Sequence, residues 1–397
     1  MPTPFFSIAI PTKGRSFIVG DAIESVLRQN FPDFEVIVAD NDDGNVTHEV
    51  VSRFKDPRVR YHRTGGLCMP DNWESAGRQA QGEYLLMLED KQALHGGALE
   101  RLHALIEKHQ PDTLKWKADT LNDITNLTWV EEPGGTGEVR FMPSNEVLRT
   151  FLSATRQDTW QVFPIAHMSA FSRKLRKAML DSPVGRICPP ANPSDGAGIL
   201  AMTYGPGVFL IDSSLVAMSR KHSAGASFEQ KTALGKQFMT EIGGPSRLWS
   251  HTPIQAPISA AMVINDYVEL RNAIGAPLED FPPDWVNYYV ESWRNVVGLE
   301  NDGVNMTDEY EAIDAALSKE TPEMQKQVWA AIEQREGPPA KSRRKNRIKA
   351  FRRRTGLLAL EHNWKLFLRR LAGRRHINRF HRPLEYVIWV DQQASRA

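Results

Sequence analysis

Three short polar segments follow directly on apolar runs. Pro11-Thr12-Lys13-Gly14-Arg15 follows Phe5 to Ile10, Asp40 follows Phe34-Glu35-Val36-Ile37-Val38-Ala39, and Glu89-Asp90-Lys91 follows Tyr84-Leu85-Leu86-Met87-Leu88. Apolar runs of this length, bounded by turn residues, read as buried strands. A carboxylate delivered to the end of a buried strand costs desolvation energy unless something cationic meets it there. A divalent metal with a diphosphate is the usual answer, because hard oxygen ligands suit Mg2+ or Mn2+.

The elements that must position these groups are legible around them. After the first run, a helix is expected to start at Asp21, with Ala22, Ile23, Val26 and Leu27 at helical spacing, until Phe31-Pro32-Asp33 stops it. With the second run this makes a βαβ unit, which is parallel and right-handed. A third strand over Arg58 to His62 and a helix from Met69 to about Ala80 precede the fourth, at Gly82 to Leu88. In open parallel sheets the ligand sits beyond the carboxyl ends of the strands, so the three polar segments should face one crevice. No Gly-x-Gly-x-x-Gly and no P-loop pattern follows the first strand, which argues against a dinucleotide or P-loop phosphate cradle.

With these residues placed, Ser7 to about Leu105 resembles the GT-A glycosyltransferases of family 2. The match is distributed over Ile8 to Arg15, Ala22 to Gln29, Phe34 to Asn41, Asp56-Pro57-Arg58-Val59, the Asn72 segment, and Gly82-Glu83-Tyr84 leading into Leu88-Glu89-Asp90. The resemblance implies an α/β, Rossmann-like GT-A fold, a mostly parallel sheet flanked by helices, with a C-terminal helical extension. It implies transfer of a sugar from a nucleotide-sugar donor to an acceptor hydroxyl, with inversion, in the assembly of a surface polysaccharide or other glycan. Pro11, Thr12 and Arg15 would border the nucleotide, Asp40 would bind its base or ribose, and Asn72 would sit close to the donor. The family's Asp-x-Asp motif falls at Glu89-Asp90-Lys91, which adds Glu89 and Lys91 to the donor site and makes Asp90 the ligand of Mg2+ or Mn2+. Lys91 departs from the pattern, standing where a metal-binding Asp is common. Three roles are open to it: a surface lysine beside a metal-holding Asp90, the charge that neutralises the diphosphate, or the mark of a non-catalytic nucleotide-binding scaffold.

Inverting transfer needs a general base near the acceptor hydroxyl. Asp195, in the proline-braced loop Pro189 to Gly196, is the candidate, and related members carry an acidic residue after a proline there. The alternative is that Asp195 caps a helix. His222, in a small-residue loop, could reach a metal or phosphate as part of a closing lid, or be an ordinary loop histidine. Asp42 and Asp43 read as turn formers beside Gly44. Trp73, Trp116 and Trp160 could stack on a sugar, although core packing is the commoner use of tryptophan.

Net charge is +1 for the 397 residues, but it is unevenly spread. Lys341 to Arg382 holds 16 Lys and Arg against Glu361 alone, which is 16 − 1 = +15 and leaves −14 elsewhere. The expected organisation is a GT-A domain over residues 1–240, a helical extension over 241–338 with Trp285, Tyr288, Tyr289 and Trp293 docking back on it, and a basic amphipathic tail over 339–397. Such a tail suits an anionic membrane surface on the cytoplasmic side, a lipid-linked or glycan acceptor, or a second copy of the chain. Nothing else resembles a nucleic-acid recognition module. Two cysteines, Cys68 and Cys188, fit a reducing compartment, and neither a signal peptide nor a membrane-spanning run is read from the chain.

Overall fold

A computed structural model describes residues 3–123, 129–131, 134–189, 192–222, 231–301, 304–336 and 380–395. Most of the basic segment 341–382 therefore lies outside the described residues.

The amino-terminal half builds up strand by strand. β1 (Phe6–Thr12) leads through Gly14, at φ +66°, into α1 (Ser16–Leu27), then β2 (Phe34–Asp40), α2 (Val46–Val51), β3 (Val59–Arg63), α3 (Met69–Arg78) and β4 (Tyr84–Met87). β1 and β2 are buried at every position, as central parallel strands covered on both faces must be. α1 starts five residues before the expected Asp21. The left-handed turn at Gly14 lets the helix begin at once, and Ile18 and Val19 bury themselves on the sheet side with Ala22, Ile23 and Val26.

β5 (Gln92–Leu94), α4 (Ala98–His109), β6 (Thr113–Asn122), β7 (Trp129–Glu131), β8 (Val139–Pro143), α5 (Ser144–Ser153), α6 (Arg156–Val162), β9 (Ser169–Ser172), α7 (Arg173–Leu180), α8 (Pro193–Tyr204) and β10 (Gly207–Ser219) complete one ten-stranded sheet. Its order is β3-β2-β1-β4-β9-β6-β10-β5, with β7 on β6 and β8 on β10. The first four strands are parallel, and the later ones mix parallel and antiparallel pairings. The fold is the expected α/β sheet flanked by helices.

A buried polar knot fixes the register of the parallel half. Ser7 Oγ donates to Glu35 at 2.6 Å, Glu35 accepts the Gln81 amide at 2.8 Å, and Gly82 N donates to Ser7 Oγ at 2.7 Å. A Cβ on Gly82 would lie 2.7 Å from Ser7 N, so the strand can enter this close only as glycine.

After α9 (Ala233–Glu241), four helices, α10 (Ser259–Ile274), α11 (Trp285–Asn301), α12 (Thr307–Leu317) and α13 (Pro322–Glu336), close round a second core. Tyr288, Tyr289 and Trp293 belong mainly to that core, with Trp285 packed against it, rather than to the expected dock on the catalytic sheet. Large aromatics on one helical face find more apolar surface among the neighbouring helices. Docking is shared between α10, whose Tyr267, Leu270 and Ile274 enter the core of the sheet domain, and polar groups of α11. Asn287 donates to the carbonyls of Leu152 and Ala154, both at 3.0 Å, and Glu291 accepts the Arg156 amide at 3.0 Å. The last helix, α14 (Pro383–Ala394), is no free tail. Its Leu384, Tyr386 and Val387 pack with Ala93 of β5 and Ala217 of β10, and Arg382 pairs with Asp21 at 3.2 Å.

Candidate active site

The carboxyl ends of the parallel strands open on a cavity of about 370 Å³. Pro11, Thr12, Lys13 and Arg15 come from the end of β1 and its turn, Asn41 and Asp42 from the end of β2, and Met69, Asn72 and Trp73 from α3. Glu89 comes from the end of β4, and Gln237, Phe238 and Glu241 reach over from α9. The crevice expected from the βαβ pattern is thus where the topology puts it. Trp73, one of the three tryptophans weighed as a sugar platform, lines the cavity, and α9 is a wall for which the sequence carries no signal. Lys13 pairs with Glu241 at 3.1 Å, which ties the turn after β1 to α9 across the cavity mouth. A lysine and a glutamate 228 residues apart leave no sequence signal.

The charges on this wall are paired with groups just behind it, for Arg15 and Glu89 line the cavity while Asp90 and Lys91 do not. Arg15 Nη1 meets Asp90 Oδ1 at 2.8 Å, and Thr12 Oγ1 donates to Asp90 Oδ2 at 2.8 Å. Lys91 Nζ lies 3.2 Å from Glu89 Oε2. Lys91 is only 5% exposed, so the reading of it as a surface lysine fails: the turn after β4 folds its side chain inward. That turn is closed by Gln92 N donating to the Glu89 carbonyl and by Glu89 N donating to the Gln92 side chain, both at 2.9 Å. Burial by itself would push the Glu89 carboxyl up, but Lys91, His167 and Arg15 together bring it below its ordinary range. The Arg15 guanidinium feels burial in the opposite sense and is held above its usual value by Asp90 and Glu89.

Asn72 does two things. Its side chain lines the cavity, and its amide braces the floor, with Nδ2 donating to the carbonyls of Thr12 at 3.4 Å and Ala39 at 3.3 Å while Oδ1 accepts from Thr64 at 2.8 Å. Asp40 is fully buried and does not line the cavity. Tyr61 donates to its Oδ2 at 2.7 Å and Asp42 N to its Oδ1 at 3.0 Å, so it shapes the loop that carries Asn41 and Asp42 to the wall. Asp42, read from sequence as a turn former, both lines the cavity and accepts the Gly14 amide and the Thr47 hydroxyl.

Asp195 stands apart from this cluster. It lies in the first turn of α8 and lines a separate groove between the sheet domain and the helical region, together with Arg156, Trp160, Asn287, Tyr288 and Glu291. The cap position belongs to Asn192, and no side-chain cap bond is made. Burial raises the Asp195 carboxyl, and Arg156 offsets part of the rise. A short chain of contacts links this groove to the donor cavity. Ser194 Oγ shares a 2.8 Å hydrogen bond with His167 Nδ1, and the His167 ring stands edge-on to Trp73 with centroids 6.4 Å apart. His167 was missed because a lone histidine before a short strand carries no pattern. His222 stacks edge-on against Phe17 with centroids 5.2 Å apart, and the charges of Asp123, Arg15 and Asp90 reach it. Trp116 is a core residue at 2% exposed, and Trp160 is 40% exposed on the groove.

The expected metal ion was Mg2+ or Mn2+ on Asp90, with His222 within reach. The residues present do not fit it. Both oxygens of Asp90 are engaged by Arg15 and Thr12, one oxygen of Glu89 is paired in charge with Lys91 at 3.2 Å, and no group of three or more candidate ligands occurs among the described residues. A divalent ion there would sit against an ammonium and a guanidinium.

The comparisons with known proteins fall on the segment that builds most of the cavity. The family model described as Glycosyl transferase family 2, a group that generally uses a divalent metal, matches residues 7–180. The GalNAc(5)-diNAcBac-PP-undecaprenol beta-1,3-glucosyltransferase of Campylobacter jejuni is 33% identical over 103 residues, covering 25% of this chain and 33% of that one. A PGL/p-HBAD biosynthesis glycosyltransferase of Mycobacterium bovis is 29% identical over 133 residues, covering 32% of this chain and 52% of that one. The chain thus spans about half or less of the length of these curated relatives. Among solved structures, Staphylococcus aureus TarS 1–349 aligns with a TM-score of 0.46 at 17% identity, over 84% of this chain and 92% of that one. Over residues 7–180, where the parallel strands and most of the cavity wall lie, this chain matches the glycosyltransferase family 2 model.

Proposed function

We propose that the protein transfers a sugar from a nucleoside-diphosphate sugar to an acceptor hydroxyl, with inversion at the anomeric carbon. The observation that carries this reading is the cavity at the carboxyl ends of β1, β2 and β4, in which Thr12, Arg15, Asn72 and Glu89 converge within the family-matched segment. Asn41 and Asp42 flank the nucleoside on a loop that Asp40 holds in place. Arg15 and Lys13 face the diphosphate, and His222 approaches it from the loop after β10. Asp195 takes the proton of the acceptor hydroxyl as its oxygen bonds to the anomeric carbon, and the electrons of the breaking carbon–oxygen bond leave on the diphosphate. The groove lined by Asp195, Trp160 and Tyr288 receives the acceptor, a glycan or lipid-linked sugar, since an exposed aromatic face beside carboxylates suits a polyol.

The basic segment 341–382, at +15, supports contact with an anionic membrane surface, where each Lys or Arg contributes about 1 kcal/mol. No helix among the described residues is long and apolar enough to cross a membrane.

The test is release of nucleoside diphosphate from a panel of UDP-, GDP- and dTDP-sugars, with wild type beside Arg15→Met and Asp195→Asn. Turnover of one donor class, lost in both variants while Asp195→Asn still binds the nucleotide, supports the reading. Nucleotide binding without turnover of any donor would leave a nucleotide-binding scaffold, and no binding at all would end the donor-site reading.

A further inference from the structure

Glu89 and Asp90 follow β4 where an Asp-x-Asp motif would gather a metal, and each is already closed by a cation of the chain. Lys91 reaches Glu89 at 3.2 Å with its side chain 4% exposed, and Arg15 reaches Asp90 at 2.8 Å with its side chain 21% exposed. Neither cation is a loose surface group. The Lys91 carbonyl accepts the Ser219 amide of β10 at 3.1 Å, and the neighbouring Gln92 side chain donates to the His167 carbonyl at 3.2 Å, so the turn is pinned on two sides. Arg15 sits one residue ahead of α1, where the helix fixes its backbone. The second oxygen of Asp90 is taken by Thr12. To bind here, a divalent ion would have to displace two cations whose backbones are held in place and then remain beside them, which adds charge repulsion to the cost of binding.

We propose that Lys91 and Arg15 are the resident cations of the donor site, so that this protein binds and turns over its nucleoside-diphosphate sugar without a divalent metal. The inference rests on the reading of the cavity as the donor site. Lys91 cancels the charge of Glu89 and Arg15 that of Asp90, so the diphosphate is not repelled by the two carboxylates at the end of β4. As the bond between the anomeric carbon and the diphosphate oxygen breaks, its electron pair stays on that oxygen, facing Arg15 and Lys13. The acceptor proton goes to Asp195, and no further reactant is needed.

Two measurements on the full chain test this, one of them independent of any nucleotide. In the first, Mn2+ alone is titrated into wild type, Lys91→Asp, Lys91→Gln and Asp90→Asn, with free Mn2+ read by its paramagnetic resonance signal. Wild type is expected to leave the signal unchanged, and Lys91→Asp, which supplies a second carboxylate and removes the cation, to take up one equivalent. In the second, UDP, GDP and dTDP are titrated calorimetrically in EDTA and in Mn2+. Wild type should bind its preferred nucleotide with affinities within about threefold in the two buffers, while Lys91→Asp should lose about tenfold or more in EDTA and regain it with Mn2+. Lys91→Gln, which removes the charge without adding a ligand, should lose affinity in both buffers and serves where the aspartate variant does not fold. Uptake of one Mn2+ by wild type that Asp90→Asn abolishes, or a tenfold loss of wild-type affinity in EDTA, overturns the proposal. If no nucleotide binds in either buffer, the donor-site reading falls, and the Mn2+ titration still decides whether Glu89 and Asp90 hold a metal.

Discussion

The Arg15–Asp90 pair should be among the strongest couplings in the molecule, and its strength can be worked out from its surroundings. Asp90 is 3% exposed and Arg15 keeps 21% of its side chain in solvent. Removing one partner of a buried pair costs about 3 to 5 kcal/mol, because the other charge is left without compensation. In Asp90→Asn the Thr12 hydroxyl keeps a partner and the solvent-facing part of Arg15 regains water, which places the loss near the lower end, at about 2 to 4 kcal/mol. Arg15→Met should cost a similar amount, because Asp90 then stays buried on one hydroxyl. The double variant should cost less than the sum, with a coupling of about 1.5 to 3 kcal/mol, against a total stability of about 5 to 15 kcal/mol. Urea unfolding of the four proteins, with the slope held to one value, measures it. A coupling below about 0.5 kcal/mol would mean that the pair is no better than a surface ion pair, and the account of a self-neutralised donor wall would fail with it.

Other perturbations have equally definite signs. Asp195 must be ionised to accept a proton, and burial raises its carboxyl, so turnover should fall with decreasing pH along a limb that sits above the ordinary carboxylate range. Arg156→Met removes the charge that offsets part of this rise and should move the limb upward, measured in kcat against pH; an unmoved limb would take Asp195 out of the role of base. Asp195→Asn should lower turnover by about a hundredfold or more with nucleotide binding intact. Gly82→Ala should destabilise by about 1 to 3 kcal/mol in thermal unfolding, because its methyl would press on Ser7 N, and a neutral result would mean that β4 can back away from β1. Asp266, buried on α10, is raised well above the usual carboxylate value by burial, with Glu269 and Asp195 adding to the rise and the Asn192 amide and Arg247 opposing it. A raised folded pKa gives stability that is whole below the unfolded value near 3.8 and is lost as pH climbs through the folded one. Asp266→Asn should therefore match wild type in acid and exceed it at neutral pH, as measured by melting temperature against pH; equal melting at neutral pH would refute this.

The donor side was legible because each strand announces itself and ends on its functional residues. Phe34 to Ala39 and Tyr84 to Leu88 are apolar enough to be central, and a parallel sheet sends their carboxyl ends to one edge. What sequence could not give was the direction of each side chain once there. Asp40 turns into the protein toward Tyr61 while Asp42, two residues on, reaches the cavity. The sequence leaves Lys91 open between the surface and the site, because lysine is almost never fully buried unpaired, and the partner that permits its burial is Glu89, two residues before it. The helical region was harder, because period tells which face of α11 is apolar but not whose core it enters. Residues 380–395 read as the end of a basic tail, yet the helix there packs on β5 and β10, and the Gly96 amide beside β5 donates to Asp391 at 3.2 Å across 295 residues of sequence.

These contacts divide the labour of the site unevenly. The donor wall is nearly self-contained: apart from Gln237, Phe238 and Glu241 on α9, every residue that lines it lies within the first ninety positions. The proposed base is not. Asp195 sits in the first turn of α8, and the Asn192 amide that begins this turn donates to Asp266 Oδ2 at 2.8 Å, on a helix of the extension. The groove beside it is closed by Asn287 and Glu291 of α11, whose hydrogen bonds to Leu152, Ala154 and Arg156 join the extension to the sheet domain beside the apolar contact of Tyr267, Leu270 and Ile274 on α10. Loosening that dock should thus disturb the acceptor side while leaving the donor cavity formed. Substitutions at Asn287 should raise the KM for acceptor far more than the Kd for nucleotide, whereas substitutions at Arg15 should do the reverse. A common loss of both in Asn287→Ala would show instead that the two cavities fold as one unit, and that the chain from Trp73 through His167 to Ser194 transmits strain between them.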